Sequence, residues 1–161
     1  MQQINRLKKL FLIPLLSLCF FSCSKIGVFE KTIPLPAQAW FYNIQPSFTF
    51  NITDTTASYN VFIVLRHTDT YAYNNIWLAV GSQVPGDTLH TQNINMGLGN
   101  DTKGWEGTGM DDIYEVRKNI TSGPVTFKKA GRYTFTLAQV MRENPLLHIL
   151  NIGIRVEKVN L

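Results

Sequence analysis

The amino-acid sequence predicts an all-β fold, an antiparallel β-sandwich or jelly roll that forms a single domain behind a signal peptide. Seven short segments either alternate apolar and polar residues or form apolar runs rich in β-branched and aromatic side chains. Turn-forming residues separate these segments, and none has the spacing of a long helix. Many short strands without intervening helices are typical of sandwiches and jelly rolls. A chain of 161 residues is long enough for one such domain.

The predicted strands follow one another through the chain after residue 39. Residues 47–53 alternate strictly, with every second side chain apolar, which indicates a strand with one buried face. Residues 59–67 and 76–80 are nearly continuous apolar runs, as in strands buried on both faces. The other predicted strands are residues 40–44, 88–96, 131–140 and 147–159. Residues 113–119 fit either a short helix or a further strand.

Residues 1–22 have the pattern of a lipoprotein signal peptide. A basic beginning precedes an apolar run of about a dozen residues, which is too short to span a membrane core of ~30 Å comfortably. The run ends in Ser22 and Cys23, and a small residue directly before a cysteine resembles a lipobox. We therefore predict cleavage before Cys23 and acyl chains on Cys23 that anchor the protein to a membrane. A cleaved secretory signal with an incidental cysteine, or a short membrane anchor, are the alternatives.

This cleavage divides the rest of the chain into two predicted parts. Residues 23–38 comprise the lipidated cysteine and a tether, in which Pro34 and Pro36 favour extended backbone. Residues 39–161 form the β-domain. The mature chain carries nearly equal numbers of basic and acidic residues, so its charge gives no reason to expect nucleic-acid binding.

No residue pattern predicts catalysis, a metal or a cofactor. His67, His90 and His148 are far apart and lack neighbouring ligands, which favours surface or edge positions for all three. Asp111 and Asp112 form the one adjacent acidic pair, and such neighbours point to opposite faces of an extended chain. They fit the cap of a helix beginning at residue 113 better than an acid–base pair. We therefore predict that the protein is not an enzyme.

Two aromatic segments hold the candidate contact residues. Residues 97–114 contain five glycines around Trp105, which could plug one end of the sandwich, contact a protein partner or stack on a sugar ring. Tyr71 and Tyr73 stand in a second aromatic segment and are the other candidates for a protein or glycan contact. Trp77, in the same segment, is expected in the core.

Several segments follow one another in an order that covers most of the mature chain. They are Ser22-Cys23, YNVFIVLRHTDTYAYNNIWLAV (59–80), GDTL (86–89), GWEGTGMDDIYEVR (104–117), AGRYTFTLAQVMRENPL (130–146) and LNIGIRVEK (150–158). Together they resemble the GldH-type gliding-motility lipoprotein family of Bacteroidetes. The resemblance implies a small cell-envelope lipoprotein needed for gliding, which in these bacteria is linked to type IX secretion. It implies no catalytic activity and no ligand residues.

Two functional hypotheses remain open at this point. The first is a non-enzymatic lipoprotein, anchored through Cys23 at the periplasmic face of the outer membrane, that scaffolds or stabilises other gliding or secretion proteins of the envelope. The alternative is a lipid-anchored carbohydrate-binding module that stacks sugar rings on Trp105, Tyr71 or Tyr73. Aromatic residues on an exposed concave face would favour the alternative. Their burial, together with an exposed apolar patch elsewhere, would favour the first hypothesis.

Overall fold

The computed structural model describes residues 27–159, which form a two-layered antiparallel β-sandwich. The predicted signal peptide, residues 1–22, and Cys23 lie outside the described residues. Between residues 27 and 159 no helix is long and apolar enough to cross a membrane. The prediction of an all-β fold is confirmed.

One layer is a sheet of five antiparallel strands. From edge to edge it contains β1 (Gly27–Pro34), β13 (Ile149–Lys158), β4 (Tyr59–Thr68), β10 (Ile113–Asn119) and β9 (Thr108–Met110). The central strand β4 is nearly continuous in apolar residues because β13 and β10 flank it and the second layer covers its inner face. Residues 113–119 are therefore a strand, which confirms one of the two predicted alternatives, and the helix alternative with its acidic cap is wrong. Asp111 instead has a positive φ of 54° in the β9–β10 turn, and the Asp112 carbonyl accepts a hydrogen bond from the Asp69 amide.

The other layer is a sheet of four antiparallel strands. From edge to edge it contains β3 (Ser47–Ile52), β11 (Gly131–Gln139), β5 (Asn75–Gln83) and β6 (Leu89–Gly97). Two small sheets complete the fold: β2 (Ala39–Trp40) pairs with β12 (Leu146–Leu147), and β7 (Gly99–Asn100) pairs with β8 (Gly104–Trp105). A 3-10 turn, Pro36–Gln38, precedes β2.

The core lies between the two sheets and consists of the inward-facing residues of their strands. Among the fully buried side chains are Trp40, Phe48, Ile63, Leu78 and Leu137. Burying one such side chain stabilises the fold by roughly 1.5–3 kcal/mol, so residues 27–159, which contain no cysteine, can rest on this core. The core extends at one end into stacked and tilted rings of Phe29, Phe50, Tyr59, Phe127, Tyr133 and Phe135.

The first described strand lies inside the segment predicted to be a tether. β1 pairs with β13 along its length, and Phe29 and Ile33 pack against the core. Pro34, one of the two prolines that suggested a tether, is the last residue of this edge strand, where a missing backbone N–H is tolerated. The tether prediction is therefore wrong for residues 27–34, and the folded domain begins closer to Cys23 than the sequence predicts.

Candidate functional site

Five rings from separate elements meet at one end of the sandwich, and we call them the aromatic cluster. They belong to His67 near the end of β4, two tyrosines of the β4–β5 connection, one residue of β8 and one of β10. The members are His67, Tyr71, Tyr73, Trp105 and Tyr114. The structure thus brings together all three aromatic residues that the sequence singled out, with two that it did not.

His67 is the centre of the aromatic cluster and is fully buried, so the prediction of a surface or edge position is wrong. The rings of Trp105 and Tyr114 lie 4.6 and 5.8 Å from its ring, centroid to centroid. Its Nδ1 lies 2.8 Å from the Thr68 carbonyl oxygen, and because a carbonyl only accepts, Nδ1 carries the proton. Burial lowers the pKa of His67. The imidazole is therefore a neutral packing group.

Trp105 and Tyr71 are part of this packing. Trp105 is half-buried, and its ring lies 6.3 Å from that of Tyr71. Two glycines allow the loop that carries Trp105 to pack this tightly. A Cβ at Gly99 would lie 3.0 Å from the Trp105 ring, and a Cβ at Gly107 would lie only 2.1 Å from the Glu115 carbonyl oxygen. Tyr71 is only 3% exposed, and its hydroxyl donates to the Asn75 carbonyl at 3.0 Å.

Tyr73 stands at the rim of the aromatic cluster and is half-buried. Its hydroxyl donates a hydrogen bond of 2.6 Å to the Glu143 carboxylate, which raises the pKa of Tyr73. The rings of Tyr73 and Tyr71 meet edge to face, 5.8 Å apart between centroids, and Tyr73 also lines a shallow groove with Trp77. Of the three predicted contact residues, Tyr73 and Trp105 therefore reach the surface in part, whereas Tyr71 does not.

The outer surface of the four-stranded sheet is a second candidate site, which the sequence analysis missed. We call it the uncharged face. Because side chains alternate along each strand, its members are the residues opposite to those in the core. They are Tyr42, Ser47, Thr49, Trp77, Ala79, Gly81, Leu89, Thr91, Asn93, Thr134, Thr136, Ala138 and Val140. Charge borders this face at both ends: Arg132 lies beside Asn51 at one end, and Arg142, just after β11, lines a groove with Trp77 at the other.

Large apolar side chains stand exposed on the uncharged face. Trp77 is 44% exposed, which corrects the prediction that it lies in the core. Its backbone carbonyl accepts a 3.0 Å hydrogen bond from the Val140 amide, so these two residues are neighbours. Tyr42, Leu89 and Val140 line a groove of about 510 Å³ over the small residues of β5 and β11. The exposure of Trp77 could not be predicted from the sequence, because the apolar run at residues 76–80 does not show that every second residue points outward.

The outer surface of the five-stranded sheet is charged by contrast. Three arginines and three glutamates alternate across it in an ion-pair ladder: Arg66, Glu115, Arg117, Glu30, Arg155 and Glu157. Arg66 Nε lies 2.6 Å and Arg117 2.7 Å from the Glu115 carboxylate. Burial would raise the pKa of Glu115, but the hydrogen bonds from these arginines outweigh it and lower the pKa. The charges of this face are thus satisfied within the chain.

The described part of the chain contains no arrangement suited to a metal ion. Between residues 27 and 159 no three histidine, cysteine or acidic side chains converge. His90 lies 3.8 Å from Asp87 on the surface, on the other sheet from His67. The two surfaces described above are therefore the features to compare with other proteins.

Comparison with solved structures gives only distant likenesses. The chain resembles the infectious bursal disease virus VP2 subviral particle with 10% sequence identity and a TM-score of 0.36, covering 85% of this chain and 32% of that one. A second likeness, to the infectious bursal disease virus Gx strain, has 12% identity and a TM-score of 0.28, with 84% and 32% covered. At these scores the likenesses carry no argument.

Comparison of sequences is more informative. The chain is 28% identical over 160 residues to the gliding motility lipoprotein GldH of Flavobacterium johnsoniae, covering 95% of this chain and 98% of that protein. It is 25% identical over 146 residues to the gliding motility lipoprotein GldH homolog of Christiangramia forsetii, covering 86% and 88%. The family model described as GldH lipoprotein matches residues 27–156, which is nearly the whole described domain. This chain belongs to the GldH lipoprotein family.

Proposed function

We propose that this protein is a lipid-anchored, non-enzymatic component of the cell envelope that serves gliding motility by binding other proteins of the gliding and type IX secretion machinery. Its family, and the names of its two relatives, support a part in gliding. The predicted lipid on Cys23 would hold the domain at the membrane.

The uncharged face carries the proposal of protein contact. The centres of protein interfaces are depleted of charge and rich in tryptophan and tyrosine. The uncharged face has this composition, with Trp77, Tyr42 and Val140 all more than 40% exposed. On the opposite side of the sandwich, each charge of the ion-pair ladder already has a partner in its own chain. We therefore assign the contact with other envelope proteins to the uncharged face.

The position of β1 supports the assignment of protein contact to the uncharged face. Gly27 begins an edge strand of the five-stranded sheet and stands four residues after Cys23. Four residues of chain span at most ~14 Å, so the lipid would hold the five-stranded sheet close to the membrane. The uncharged face lies in the other layer and would point away from the membrane, where partner proteins can reach it.

The carbohydrate alternative finds less support at the aromatic cluster. Stacking on a sugar needs an exposed ring face, and the Tyr71 ring is buried. Trp105 packs against His67, and Tyr73 uses its hydroxyl on Glu143. The cluster closes the end of the sandwich, which is the arrangement expected under the protein-contact hypothesis.

Removing the exposed apolar side chains tests the proposal. In cells that lack the native copy, a chain with both Trp77→Ser and Val140→Ser is expected to reach the membrane in normal amounts but to glide poorly and to lose its crosslinked envelope partners. Met110→Ser is the matched control, since Met110 is 76% exposed but lies outside the uncharged face, on β9. Normal gliding and normal crosslinks in the double variant would refute the proposal.

A further inference from the structure

Strand β6 is a free edge of the four-stranded sheet, and residues 118–120 line a groove of about 300 Å³ beside residues 94–97. β6 pairs with β5 at nine consecutive positions without a register shift, and no strand between residues 27 and 159 pairs with its other side. Only Met96 is buried in it, and Ile94 is half-buried. His90 and Gln92 point to the inner side of the sheet but are still exposed.

β6 also lacks the features that usually protect an edge strand. Edges are commonly blocked by charged residues, prolines or bulges. β1, on the far side of the other sheet, has all three: Glu30 and Lys31, Pro34, and a register shift between Gly27 and Phe29. β6 reads LHTQNINMG and has no acidic residue, lysine, arginine or proline. β6 is a long strand without a bulge or a charged residue, and another strand can pair with its free edge.

The hydrogen bonds to β5 determine which groups of β6 are free. The Leu98 amide, just after β6, donates to the Asn74 carbonyl at 2.8 Å, which makes these two residues a hydrogen-bonded pair. Hydrogen-bonded and non-hydrogen-bonded pairs alternate along an antiparallel ladder. The odd-numbered residues of β6 therefore direct their N–H and C=O groups away from β5, to the free edge. They are Leu89, Thr91, Asn93, Asn95 and Gly97.

We propose that β6 pairs antiparallel with β6 of a second copy of this chain, with Asn93 on the two-fold axis. In this register Thr91 faces Asn95 of the other copy and Leu89 faces its Gly97, so every free odd-numbered residue gains a hydrogen-bonded partner. No like charges meet, because the strand has no lysine, arginine or acidic residue. Threonine and asparagine side chains both donate and accept hydrogen bonds, so the same strand suits both sides of the isologous interface.

The functional meaning of this pairing rests on the proposed function, which is contact with other envelope proteins through the uncharged face. The two-fold axis is perpendicular to the sheet, so the two four-stranded sheets would form one eight-stranded sheet with both uncharged faces on the same side. Both copies of Gly27 would lie in the other layer, each on the flank away from β6. With only three residues between Cys23 and Gly27, both anchors can reach one membrane in this arrangement and would leave the doubled face exposed.

Cysteine crosslinking in intact envelopes tests the pairing. Facing residues of a hydrogen-bonded pair have Cα atoms ≈ 5.5 Å apart, which suits a disulfide. Under mild oxidation, full-length Asn93→Cys is expected to shift to twice the mass of one chain. The matched control is Asn51→Cys on β3, the other edge of the same sheet, and the unsubstituted chain reports any background from its own cysteines. Equal crosslinking of both variants, or a crosslink of Asn93→Cys to a different protein, would overturn the proposal.

Mixed chains test the register independently. Co-expressed Thr91→Cys and Asn95→Cys chains are expected to crosslink to each other more than either crosslinks to itself.

Asn93→Lys places two like charges on the axis and is expected to shift the solubilised protein from dimer to monomer, while Asn51→Lys leaves it dimeric. A monomeric unsubstituted protein would overturn the pairing but leave the proposed function intact. Conversely, normal gliding of the Trp77→Ser, Val140→Ser chain would refute the function but not the pairing.

Discussion

At the scale of single residues, His67 shows which contacts stabilise the end of the sandwich that contains the aromatic cluster. The imidazole is surrounded by the rings of Tyr71, Trp105 and Tyr114, and its Nε2 has no hydrogen-bond partner within the described part of the chain. A positive charge there would have no anionic partner, and burial disfavours the charged form. The packing of this end of the domain therefore depends on a neutral histidine.

This environment predicts a loss of stability in mild acid. The unfolded chain takes up a proton at His67 near pH 6.5, whereas the folded chain resists protonation because its pKa is lowered. As the pH falls below about 6.5 the unfolded state binds more protons, so the free energy of unfolding decreases. Urea denaturation between pH 7.5 and pH 5 should show this decrease in the unsubstituted domain.

The variant His67→Gln is expected to start from a lower stability but to lose less of it over the same pH interval. His90 and His148 remain in both proteins, and the carboxyl groups whose pKa is lowered, Asp54, Asp87 and Glu115, lose their contribution only at more acidic pH. The difference between the two pH slopes therefore belongs to His67. Identical slopes would contradict the interpretation.

At the scale of elements, the contact of β1 with β13 decides how much chain separates the domain from its anchor. Gly153 is the closest point of this contact: a Cβ there would lie 2.3 Å from the Lys31 carbonyl oxygen and 2.5 Å from the Thr32 methyl group. The strand can lie against β13 only because residue 153 has no side chain. If β1 detached, the free chain after Cys23 would lengthen from three residues to eleven.

We therefore expect Gly153→Ala to displace β1 selectively. Overpacking of this kind costs about 1–3 kcal/mol, and the loss should appear as faster amide hydrogen exchange in residues 27–34 while β4 and β11 stay protected. Gly97→Ala is the control, since a Cβ at Gly97 meets nothing within 4 Å and its backbone is unstrained. Unchanged exchange in β1 would show that the backbone absorbs the extra methyl group.

The strands that the sequence predicts are those long enough to show a period. β3, β4, β11 and β13 were predicted because five or more residues alternate or run apolar in each. The predicted strand 40–44 is wrong after Trp40, because β2 is only Ala39–Trp40 and residues 41–44 form a turn. Like β12, β7 and β8, β2 has two residues and shows no period, so only tertiary contacts define it. The uncharged face was missed for a related reason, because the outward position of Trp77 depends on the register of β5 with its neighbours.

At the scale of the whole molecule, the two outer surfaces differ in what they can still bind. The ion-pair ladder crosses four strands, and its arginines and glutamates satisfy one another. The uncharged face and the free edge of β6 lie together on the other layer, with exposed apolar side chains and unpaired backbone groups within the described chain. The groups that remain available for contact therefore lie on the layer that carries the uncharged face and the free edge of β6.

This division of roles depends on the anchor, which a pair of cysteine variants can test. Cys23→Ala should remove the lipid, release the folded domain from the membrane fraction and abolish gliding, because a freely diffusing domain no longer presents the uncharged face at the membrane. Cys19→Ala is the matched control: it lies in the predicted signal peptide, so the mature chain and its membrane association should be unchanged. Membrane fractionation and metabolic labelling with a fatty acid give the readout. If the Cys23→Ala chain still takes up the label and stays with the membrane, the anchor lies elsewhere and the proposed orientation of the two layers is wrong.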